Sequence, residues 1–220
     1  VSEMIESLKK EGIMSLSEAV INEDMVKQTA YKNILKMFKL FSLTDEEKRV
    51  LMYLSFMPLG GVNVRSFRYW ADIDSTKIIK DLETKSWLFK NTEGIALHPI
   101  IKEVIKHEIP ANTQNCKEFL DRFTNSIEDQ KAWLMKKDEK DKLSCVAREV
   151  LAVFCDICEE TEELYYHAQA LFSFFVDTKY AAELAEKIYD YHRKKYGEDS
   201  FLAVRSIFKL GWVYSFDMQL

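Results

Sequence analysis

At 220 residues and 25.8 kDa, with 47% hydrophobic and 30% charged residues, the chain can bury one large core or two small ones. Its 6 Gly and 3 Pro supply too few breaks for a sandwich or barrel, which turns about every 8 to 12 residues, so a mostly helical fold is expected. The formal charge of -5 falls almost wholly after residue 109, and nothing in its distribution points to a polyanion partner.

The four cysteines, Cys116, Cys145, Cys155 and Cys158, sit in helical patterns with no signal peptide and no apolar run of the ~18 residues a span needs. The expected location is the cytoplasm, with no membrane partner. The chain opens on Val1 and reaches Leu220 inside an unfinished helical pattern, so it reads as a piece of a longer protein.

In chain order, Val1 to Lys10 and Asp24 to Phe41 read as helices, the second with Val26, Ala30, Ile34, Met37, Phe38 and Phe41 in one stripe. Thr44 and Glu47 form a capping box before Val50, Leu51 and Leu54. Met57-Pro58-Leu59-Gly60-Gly61 ends that helix. Asn63 caps a short helix carrying Phe67 and Trp70, and Asp74 or Ser75 a third with Ile78, Ile79 and Leu82 inward. Trp87-Leu88-Phe89 and Ile95-Ala96-Leu97 are β-prone runs around a polar turn, Lys90 to Gly94, and so predict a hairpin. Pro99 at a first helical position opens Ile100 to Ile109, and Pro110 closes the unit. Helix, helix, helix, hairpin is the winged-helix order, and the Pro99 helix follows it.

From Thr113 the pattern is helical, with Cys116, Phe119, Leu120, Phe123 and Ile127 in one stripe and Val146, Val150, Leu151, Phe154 and Ile157 in another. Lys136 to Lys142 is expected to be a charged break between them. Ala181, Ala185 and Ile188 follow the small and filler positions of a helix-hairpin repeat, with Tyr165, Ala168 and Phe172 on its first helix. Ile207, Leu210, Gly211 and Tyr214 match the first helix of the next repeat, with Gly211 at the expected close approach.

The run Ala185 to Ser200, with its Gly197-Glu198-Asp199 turn, resembles the tetratricopeptide (TPR) repeat of the kinesin-light-chain class. Upstream, Leu43 to Leu51, Leu54-Ser55-Phe56-Met57-Pro58, Gly61-Val62, Phe67, Trp70, Lys85-Ser86-Trp87-Leu88 and Leu97-His98-Pro99-Ile100-Ile101 resemble the winged-helix segment of bacterial STAND (NB-ARC-like) signalling ATPases. The resemblance implies three parts: residues 1–43 closing a small helical domain, 44–110 a winged-helix domain, and 111–220 a TPR-like array, clearest over 162–216. The implied function is regulatory, with the winged helix coupling nucleotide state to sensor repeats that take a protein or peptide ligand.

The family carries a His that touches the β-phosphate of ADP, and His98 falls at that point, although Pro99 stands where members often have Asp. A helix-capping role for His98 remains open beside it. No G-x-x-x-x-G-K-[ST] or G-x-G-x-x-G occurs, so ATP or ADP is expected only in a longer protein and the intramolecular ATPase domain is an expected partner. No nucleophile, base and orienting group assemble from the sequence, so no catalytic residue is assigned. Cys155-Asp156-Ile157-Cys158 lacks the further ligands of a zinc site and reads as helical core; no metal is expected. His107, His167 and His192 read as surface or half-buried. The alternative function is a DNA-binding regulator using Lys77, Lys80 and Lys85, disfavoured because Asp74, Asp81 and Glu83 offset them. Tyr166, Tyr191 and Trp212 are the protein-interaction candidates among aromatics that otherwise read as packing.

Overall fold

Our computed structural model describes residues 43–128, 136–175 and 177–217. The helices expected over Val1 to Lys10 and Asp24 to Phe41 lie outside them. Among the described residues the fold is mostly helical, with nine helices and one two-stranded antiparallel hairpin.

Helix α1 (Asp45–Ser55) starts at the capping box: Glu47 N–H donates to Thr44 Oγ1 at 3.1 Å and Thr44 N–H to Glu47 Oε2 at 2.9 Å. It is buried nearly all round from Val50 to Ser55, which makes it the central helix of the first unit. Asn63 caps α2 (Val64–Trp70), its Oδ1 accepting from Arg65 and Ser66 N–H at 2.9 and 3.2 Å. Helix α3 (Lys77–Thr84) buries Ile78, Ile79 and Leu82 as expected. Ser75, of its two candidate caps, accepts the Lys77 N–H at 3.1 Å.

Strands β1 (Leu88–Asn91) and β2 (Gly94–Leu97) pair with Leu88 opposite Leu97 and Asn91 opposite Gly94. The turn is therefore only Thr92-Glu93, shorter than the sequence suggests. Asn91 accounts for this: its Oδ1 accepts from Glu93 and Gly94 N–H at 2.9 and 3.0 Å, while its Nδ2 donates to Gly60 O at 2.9 Å. Val62 adds a bridge to Ile95, with both backbone bonds at 2.9 Å. That approach requires glycine at Gly94, whose φ is 137° and whose added Cβ would penetrate the Val62 carbonyl.

Helix α4 (Pro99–Glu108) follows, then α5 (Lys117–Ser126), α6 (Lys137–Val153), α7 (Glu162–Phe175), α8 (Thr178–Tyr196) and α9 (Phe201–Asp217). The expected charged break at Lys136 to Lys142 is instead the opening of α6. Leu143, Val146, Ala147, Val150 and Leu151 anchor that helix in the core, and a packed stripe carries the polar first turns with it. Cys155 and Cys158 fall in the irregular segment between α6 and α7, exposed and half-buried, so the helical-core expectation for this pair fails. Thr161 orders the segment, its Oγ1 accepting Cys158 N–H at 3.0 Å and donating to Asp156 O at 3.2 Å.

A single hydrophobic cluster runs from α1 to α9. Phe119 of α5 meets Phe56 edge to face at 5.1 Å, and Phe56 meets Phe154 at 5.8 Å. Trp70 packs on Phe123 at 5.1 Å while its Nε1 donates to Ser126 Oγ at 2.8 Å. Buried Lys102 of α4 donates to Met57 O at 2.6 Å and reaches Glu149 of α6 at 3.2 Å. In the last three helices Ala168, Ala181, Ala185 and Ala203 are all buried.

Candidate functional site

Helices α7, α8 and α9 enclose a cleft of about 240 Å³. Its residues recur at three and four along each helix: Glu162, Tyr166 and Gln169 on α7; Ala185, Ile188 and His192 on α8; Leu202, Ser206 and Lys209 on α9. That spacing gives each helix one face towards the cleft. Asp177 and Gly197 set the two turns. Asp177 accepts Tyr180 N–H at 3.0 Å and holds Arg148 at 2.8 Å, and these bonds, the backbone one first, keep its carboxyl below its ordinary range. Gly197 ends α8 at φ 90°.

His192, 4% exposed, links all three helices. Its Nδ1 lies 2.6 Å from Ser206 Oγ and its Nε2 2.8 Å from Glu162 Oε1. The sequence reading as a surface or half-buried histidine is corrected accordingly. Serine, histidine and carboxylate in hydrogen-bonded series is the order of an acyl-transfer triad. Ser206 nevertheless sits mid-helix, so the neighbouring N–H groups are occupied in the α9 ladder and form no oxyanion hole. Its Oγ also lies 2.8 Å from Leu202 O. The arrangement suits a polar lock between helices better than a nucleophile.

The mouth of the cleft is cationic and aromatic. Arg205 Nη2 donates to the Tyr166 hydroxyl at 2.5 Å, with the guanidinium 5.1 Å from the ring centre. Lys209 Nζ lies 3.4 Å from the same centre. Glu163 and His167 complete the rim.

Of the sequence candidates, Tyr166 alone lines this cleft. Tyr191 instead faces Lys195, which donates to its hydroxyl at 2.8 Å, and Trp212 is 39% exposed farther along α9. Ile207 and Tyr214 are exposed, and a Cβ at Gly211 would meet nothing within 4 Å. The close approach expected at Gly211 is therefore absent among the described residues. Arg205, Lys209, Glu162 and His192 were not legible as a group, although their spacing of three and four on successive helices was the available signal.

His98 is exposed at the α4 N-terminus, where Nδ1 accepts the Ile100 N–H at 3.4 Å. Lys77 and Lys80 are exposed on α3, and Lys85 pairs at 2.5 Å with Glu47. The nearby Lys90 is bound to Glu83. Among the described residues no three His, Cys, Asp or Glu side chains gather as metal ligands, and no helix is long and apolar enough to cross a membrane. Comparison of the chain with protein-family models, with curated proteins and with solved structures finds no match.

Proposed function

We propose that the chain is a non-catalytic regulatory module of a STAND-type signalling ATPase. In this reading residues 44–110 are a winged-helix unit and residues 111–220 carry TPR-like hairpins that take a protein or peptide ligand. The order of α1 to α4 around the β1–β2 hairpin supports the first part. The successive helices α7, α8 and α9, with Ala168, Ala181, Ala185 and Ala203 buried, support the second.

The observation that carries the reading is the continuous core between the two units. Phe56 and Trp70 of the first reach Phe119, Phe123 and Phe154 of the second, and Lys102 bonds to both Met57 and Glu149. Close-packed interiors shift as bodies rather than deform continuously, so a change in the hairpins would move the first unit with it. His98 fits a phosphate contact: with Nδ1 accepting the Ile100 N–H, the neutral ring keeps its proton on Nε2, an available donor. The phosphate-binding loop would come from outside this chain, and the whole would work in the cytoplasm.

The test is nucleotide retention in the longer protein. Wild type should carry ADP through purification, and His98→Ala should lose most of it. Equal retention, or the lack of any phosphate-binding loop in the longer protein, would overturn the reading.

A further inference from the structure

The outward side of α9 is apolar and open. Phe201, Val204, Phe208, Gly211 and Ser215 recur at alternating steps of three and four, the spacing of a seam between paired helices, and the seam holds no charge. Phe201 and Phe208 are each 77% exposed and Val204 53%, with Ile207 beside them at 50%. With about 150–250 Å² on each aromatic side chain, the face offers on the order of 500 Å² of apolar surface, towards the upper end of what a lone protein leaves open. Two such faces laid together would bury about 1,000 Å², the size at which a specific interface begins.

The pattern fits a second copy of the same helix. An added Cβ at Gly211 would meet nothing within 4 Å, so the Phe208 ring of one copy finds a hole between Val204, Ile207, Phe208 and Gly211 of the other. The flanks set the direction. Arg205 and Lys209 lie on the flank towards Tyr166 of α7, and Tyr214, bonded to Glu186 of α8, lies on the opposite flank. A two-fold axis perpendicular to α9 would bring the cationic flanks of both copies together. An axis along α9 instead sets the cationic flank of each copy against the Glu186 flank of the other. We propose that the chain forms a parallel two-fold dimer through the outward face of α9, with Phe208 of each copy at its centre. Every residue it uses lies in this chain, so it stands apart from the ATPase reading.

The test is sedimentation of the 220-residue chain over a range from about 1 to about 200 µM. The mass should rise from 25.8 kDa to twice that value, with half-conversion at micromolar concentration. Phe208→Glu should keep the chain monomeric throughout. Leu59→Glu, which alters another open apolar side chain in the first unit, should leave the dimer unchanged. Phe201→Cys and Ser215→Cys sit ~21 Å apart on the helix, and in a parallel pair each faces its own copy. Each should therefore give a disulfide-linked dimer with oxidised glutathione, above the background of the wild-type thiols, whereas an antiparallel pair can join at most one of them. A monomer at the top of the concentration range would overturn the proposal. So would a dimer that survives Phe208→Glu, or one that cross-links at fewer than both cysteines. Sedimentation of the unaltered chain keeps the proposal open to refutation even if a variant misfolds.

Discussion

His192 of α8 and Ser206 of α9 meet at 2.6 Å inside the hairpin region, with Glu162 of α7 on the opposite ring nitrogen. Removing the ring leaves a buried hydroxyl and a carboxylate without their partner. His192→Ala should therefore cost about 2–4 kcal/mol of unfolding free energy, and Ser206→Ala about 1–2, by urea denaturation. If the lock is real, the double variant should cost clearly less than the sum of the singles.

Gly94 and Gly60 make a matched pair. A Cβ at Gly94 would strike the Val62 carbonyl at a φ of 137°, whereas one at Gly60 meets nothing within 4 Å. Gly94→Ala should destabilise by about 2–4 kcal/mol. Gly60→Ala should stay within ~0.5 kcal/mol of wild type. Thermal melts of the two variants side by side provide the check.

Acid should loosen the start of α1. Burial alone would raise the Glu47 carboxyl, but the Lys85 ammonium and the bonds with Thr44 outweigh it and hold the group below its ordinary range. A carboxyl lowered in the folded state stabilises above its unfolded pKa, and that stabilisation is lost as pH falls through the folded value. Glu47→Gln should thus be less stable than wild type at about pH 6, with the gap closing below about pH 4. A gap that persists undiminished at low pH would contradict the role of the charge.

The cysteines should separate by reactivity. Cys116 is fully buried and its thiol is pushed up to about 12 by desolvation, while Cys155 is exposed. Cys145 is exposed too, but burial of its sulfur and the nearby Glu149 raise its thiol. With iodoacetamide at mildly alkaline pH, Cys155 should label first and Cys116 only after unfolding, as read by peptide mass spectrometry.

The first unit was legible because its signals are local. Thr44 with Glu47, Asn63, Pro99 and the β-prone runs each act within a few residues, and each takes its expected place. The hairpin turn is tighter than its five polar residues suggest because Asn91 Oδ1 closes it on the Glu93 and Gly94 N–H groups, and the same side chain is held in place by Gly60, a contact across 31 positions that no local pattern carries. Lys136 to Lys142 misled for the converse reason. Its charges look like a break, yet the helix is held by apolar residues farther on. The cleft was hidden because its polar members come from three helices and each, taken singly, resembles an ordinary surface or core residue. Of the three interaction candidates Tyr166, Tyr191 and Trp212, only Tyr166 lines it, beside Arg205 and Lys209.

Native-state hydrogen exchange at increasing denaturant tests the relay most directly, because Phe56 of the first unit packs on Phe154 beyond α6. If the two units move as one body, the most protected amides of α1, such as Leu51, and of α6, such as Val150, should merge into one unfolding isotherm. Phe154→Ala should lower both together. Opening free energies for α1 and α6 that differ by more than about 1 kcal/mol, with separate denaturant slopes, would mean two independent foldons and would contradict the account.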